Sequence, residues 1–136
     1  MARGYLALVL HAHLPFVRHP EYESFLEETW LFEAITDTYV PLLRVFEKLV
    51  ADGLSFRVTV SVSPPLIAML RDPFLQGRYL AHLGKMEALA DKEILRTQGN
   101  PQMLDVARMY RRLLYETREF YEAHDHDLVA AFRRLQ

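Results

Sequence analysis

The chain contains no cysteine, one tryptophan and five glycines among 136 residues. Without cysteine, disulfide scaffolds and thiolate metal centres are excluded. An excess of charge of one sign is also missing, because 16 Lys and Arg stand against 18 Asp and Glu, for a net charge of −2. That balance gives no electrostatic case for a nucleic-acid or anionic-membrane partner, and the basic pairs Arg111-Arg112 and Arg133-Arg134 are interleaved with acids. Long apolar runs are absent as well: nothing approaches the ~18 consecutive apolar residues of a membrane span. The opening "MARGYLALVL" has the look of a signal peptide, but its apolar run is short and ends in His-Ala-His instead of a small-residue cleavage site. A cytoplasmic protein is the expectation. A glycine-rich phosphate loop, a nucleotide fingerprint, internal repeats and low-complexity tracts are likewise missing.

What is present is a globular composition, 51% hydrophobic and 25% charged, in a length suited to one ordinary domain. Residues 5–11 form a continuous apolar run ending at a histidine, as expected of a strand buried on both faces of a parallel sheet. Residues 56–62, "FRVTVSV", are rich in β-branched residues and predict a second strand. Between them, Trp30, Leu31, Ile35, Leu42, Val45, Phe46, Leu49 and Val50 recur at helical spacing. Pro41 splits this stretch into helices over about 27–37 and 41–51, and Asp52-Gly53 supplies a stop. Strand, helices and strand predict a parallel βαβ unit. Pro64-Pro65, Asp72-Pro73 and Asn100-Pro101 each open a further helix, with apolar positions at Leu75, Tyr79, Leu83, Leu89 and Leu95 and then at Leu104, Ala107, Leu114, Phe120 and Phe132. Two parallel strands alone leave both edges unpaired, so the pattern reads as the first part of a larger α/β domain.

The chemistry-bearing residues cluster at the predicted strand ends. His11 and His13, spaced i and i+2, face one side if the strand persists through them, and parallel α/β folds place their sites at this end. Such a pair can ligate a metal, hold a substrate hydroxyl, or simply cap the sheet. Ser61 and Ser63 fall on the same rim, their hydroxyls suited to capping the helix that the prolines open. His19 reads as surface decoration; Glu21, Glu23, Glu27 and Glu28 could supply a carboxylate to the same face, while most of them fit a solvated acidic loop near a helix start. Trp30 fits either a core position or a stacking platform for a sugar ring. "HDHD" at 124–127 reads as a break between helices with Asp127 as the cap, and metal binding there is the minority reading.

Three blocks in order, "ALVLHAHLPFVRHPEY", "EETWLFEAITDTYVPLL" and "RVTVSVSPPLIAML", resemble the amino-terminal end of glycoside hydrolase family 57, and within it the 1,4-α-glucan branching enzyme subgroup. The likeness runs from about residue 5 to the C-terminus and is strongest through residue 70. It implies an incomplete (β/α)7 barrel of which residues 1–136 form the amino-terminal part. It also implies an α-1,4-glucan substrate, no cofactor, no metal, and the rest of the barrel as completing partner. By resemblance, His11 and His13 line a sugar subsite and Trp30 walls the cleft. The family's retaining chemistry uses two carboxylates ~5 Å apart, one after the fourth strand and one after the seventh. This chain stops before the third strand, so no catalytic residue is assigned and the chain alone is expected to be inactive, whether as a truncated piece or as a short paralogue. Two other readings remain open. One is a metal-dependent hydrolase of amidohydrolase type with His11 and His13 as ligands, and the other a non-enzymatic helical interaction module.

Overall fold

A computed structural model describes residues 4–136; residues 1–3, with the arginine of the opening run, lie outside the described residues. The element order is β1 (Val9–Ala12), α1 (Glu28–Ala34), a π turn (Ile35–Tyr39), α2 (Val40–Ala51), β2 (Thr59–Val62), α3 (Pro64–Leu70), α4 (Pro73–Arg96), α5 (Pro101–Ala123) and α6 (Leu128–Arg134). The two strands pair in parallel, with Val9 opposite Thr59, Leu10 opposite Val60, His11 opposite Ser61 and Ala12 opposite Val62. The parallel βαβ order expected from the sequence is therefore present. Both strands are shorter than expected, four residues each. They are not buried on both faces either: Tyr5 and Leu6 are almost fully exposed, and Val9 is 64% exposed. Among the described residues no third strand flanks the pair, and along both strands exposed residues alternate with half-buried ones.

The core lies among the helices. Val40, Leu43, Leu66, Tyr79, Leu83 and Leu128 have no exposed surface. Tyr79 and Tyr121 meet edge to face with ring centres 4.9 Å apart. Burial pushes the Tyr79 hydroxyl up to about 12. Several apolar positions expected inside lie outside, among them Val45, Val50, Leu89 and Leu95, each at least half exposed. Helical spacing marks a stripe, and the stripe here is wider than the surface that neighbours cover.

The expected split at Pro41 is replaced by a π turn joining α1 to α2. Pro41 has no N–H to give the carbonyl four residues back, and its ring would collide with it in a regular helix. The wider turn, closed by the Val40 N–H on the Ile35 carbonyl, accommodates the proline without ending the helix. Helix stops and starts otherwise fall where expected. Gly53, at φ +70°, ends α2, with the Gly53 N–H on the Val50 carbonyl and the Leu54 N–H on the Leu49 carbonyl, both at 3.0 Å. Asp72 caps α4 through the Phe74 N–H at 2.8 Å, Asn100 caps α5 through Met103, and Asp127 caps α6 through Ala130 at 2.9 Å. The break between α5 and α6 runs through Asp125 and His126, both with positive φ.

Candidate functional site at the strand ends

The parallel register fixes what meets at the carboxyl ends of the strands. Because His11 pairs with Ser61, their side chains leave the sheet on the same face, and His11 Nδ1 lies 3.2 Å from Ser61 Oγ. His13, two residues on, stacks on His11 with ring centres 5.9 Å apart and planes 9° from parallel. The structure thus unites three of the residues singled out in the sequence. Ser63 behaves differently from expectation. It occupies the N-cap of α3, but its hydroxyl caps nothing and is buried without a hydrogen-bond partner. The prolines at 64 and 65 are the reason in part, since neither offers the N–H that a cap would accept.

The segment from residue 14 to α1 is tied down by charge, not by its histidine ring. Glu28 is 2% exposed and receives two contacts from Arg78 Nη1, at 2.5 and 2.6 Å. The same guanidinium donates to the carbonyls of His19 and Tyr22 and lies 4.3 Å over the Phe74 ring. The His19 backbone N–H donates to Glu28. Arg18 reaches Asp72 at 2.5 Å, and the Val17 N–H points at the Met69 sulfur at 3.2 Å. Glu28 is the member of the acidic run that departs from a solvated loop: the first turn of α1 turns its carboxylate inward, where Arg78 neutralises it. His19 stays at the surface, half-buried, with its ring over Phe25 at 3.8 Å and its Nδ1 3.1 Å from Glu21. No local pattern marks Arg78, fifty residues downstream, as the partner.

Trp30 stands two residues beyond Glu28 and is 46% exposed, so it is not a core residue. No recorded contact joins it to His11 or His13 among the described residues. "HDHD" forms the helix break expected of it. His124 bonds the Phe120 carbonyl at 2.7 Å and Glu47 at 2.8 Å. Among the described residues, no group of three or more His, Asp or Glu side chains is placed to hold a metal ion. Among the described residues no helix is long and apolar enough to cross a membrane.

A family model described as glycosyl hydrolase family 57 matches residues 7–136. This chain belongs to that family. It is 31% identical over 134 residues to a 1,4-alpha-glucan branching enzyme of Thermococcus kodakarensis, covering 98% of this chain and 19% of the relative. Among solved structures, an alpha-amylase from Thermotoga maritima superposes with a TM-score of 0.92 at 42% identity, over 98% of this chain and 25% of that one. A GH57-type branching enzyme from Pyrococcus horikoshii superposes with a TM-score of 0.91 at 27% identity, over 99% of this chain and 25% of the other. The chain thus spans about a fifth to a quarter of the length of these relatives.

Proposed function

We propose that residues 1–136 supply the first two strands and one wall of the sugar cleft of a (β/α)7 barrel acting on α-1,4-glucans, of the branching-enzyme kind. The observation that carries this reading is the row of His11, His13 and Ser61 on one face at the carboxyl ends of two parallel strands, in a chain of family 57. Imidazoles so placed suit hydrogen bonding to sugar hydroxyls and to charge that develops during bond breaking. Trp30, half exposed at the start of α1, offers an aromatic face for a pyranose ring. The nucleophile and acid, ~5 Å apart in a retaining enzyme, are assigned to no residue of this chain, which binds but does not hydrolyse or transfer by itself.

Trp30 is the sole tryptophan, so intrinsic fluorescence reports on it directly. Titration with an α-1,4-linked maltooligosaccharide changes its emission, titration with a β-1,4-linked cello-oligosaccharide does not, and His11→Ala weakens the response. Equal indifference to both sugars, with zinc copurifying at one ion per chain, would overturn this reading in favour of a metal-dependent hydrolase.

A further inference from the structure

We propose that Ser61 is a positioning residue for His11, holding the imidazole with the proton on Nε2 so that His11 meets its ligand as a hydrogen-bond donor. The inference rests on the reading of His11 as a sugar-facing residue and adds the group that sets its chemistry. The two residues are direct register partners, and the serine hydroxyl lies 3.2 Å from Nδ1. On the other side the ring is flanked by His13, nearly parallel at 5.9 Å. The imidazole is exposed, with Ser61 across the strands and His13 along its own strand as its neighbours, so the hydroxyl is the group that fixes which nitrogen carries the proton. Among the described residues Nε2 has no hydrogen-bond partner.

The direction of the Ser61 bond follows from the chemistry of a neutral imidazole, whose two nitrogens are one donor and one acceptor. In water the proton prefers Nε2, which leaves a lone pair on Nδ1. A hydroxyl can rotate to donate into that lone pair, and doing so reinforces the Nε2–H form. The ligand edge of His11 is then an N–H, matched to an acceptor oxygen of a polyhydroxylated ligand or to an oxygen gaining negative charge. With Ser61 removed, both tautomers and more ring orientations become available and the edge loses its single identity.

The test is nitrogen-proton correlation NMR of the histidine rings in the whole chain. The native protein shows His11 protonated at Nε2 alone. Ser61→Ala shows a mixture of tautomers at His11 while other amide resonances hold their positions. Ser61→Thr, which keeps the hydroxyl in a residue suited to a strand, restores the single form. In the fluorescence titration, Ser61→Ala binds maltooligosaccharide roughly fivefold more weakly, the loss expected for one hydrogen bond. A native His11 protonated at Nδ1, or a tautomer unmoved by Ser61→Ala, overturns the inference even if the sugar binds. If the tautomer follows Ser61 but no glucan binds to either protein, the positioning role stands and the sugar reading fails.

Discussion

Arg78 is the residue on which the anchoring of the segment before α1 most depends. It compensates Glu28, which is nearly inaccessible, and holds the His19 and Tyr22 carbonyls. Removing one partner of such a pair strands a charge in a low dielectric, and the loss exceeds any gain the intact pair gives over apolar residues. Arg78→Ala is therefore expected to lower stability by about 3 kcal/mol, read as a shift in the urea midpoint, whereas the double variant Arg78→Met, Glu28→Leu recovers most of it. Equal losses in single and double variants would show that the pair is not the cause. The sequence exposed His11, His13 and Ser61 because strand period and strand ends are local properties. It hid Glu28, because an acid in a helix's first turn is ordinarily solvated and only the fold brings Arg78 to it.

Elements obeyed their termini more closely than their interiors. Asp52-Gly53, Asp72-Pro73, Asn100-Pro101 and Asp127 act within a few residues of themselves, so their roles were readable in advance. Pro41 was readable only as an interruption. Twelve residues on from Glu28, a regular helix would carry Val40 roughly a third of a turn off the Glu28 face. The π turn winds more slowly, and Val40 ends completely buried. That compromise between proline sterics and core packing is a tertiary effect with no local signature. At the C-terminus of α2 the demand is local again. Gly53 holds φ +70° with open space where a side chain would go, so the cost of a Cβ there is conformational and not steric crowding. Gly53→Ala should cost about 1 kcal/mol in thermal or chemical unfolding, with Gly53→Asn costing less because asparagine tolerates this region. An alanine variant as stable as the parent would mean that the turn relaxes.

At the scale of the molecule, a well-packed helical body carries a sheet that is only half covered. An apolar groove of roughly 690 Å³ lies beside β2, lined by Val58, Val60, Val62, Phe46, Leu70 and Phe132, while Leu6 and Leu8 stand exposed on the approach to β1. Edges of this kind pair with other chains unless something blocks them. The 136-residue chain is expected to self-associate in sedimentation experiments, and Leu6→Lys with Leu8→Lys to shift it toward monomer at unchanged melting temperature. Undiminished association in the charged variant would place the contact elsewhere. The unpaired sheet edges were foreseeable from two strand signals without partners, but the share of its relatives' length that the chain spans emerged only by comparison. The placement of the core also bears on the order of folding. The α4–α5 hairpin joins neighbours in sequence and brings Tyr79 against Tyr121, with Phe32 and Thr36 completing the cover of Tyr79. Local closures of this sort are fast, and parallel strand pairing is slow. In the folding of this chain the helical body is therefore expected to form early, and the parallel pairing of β1 with β2 to follow it.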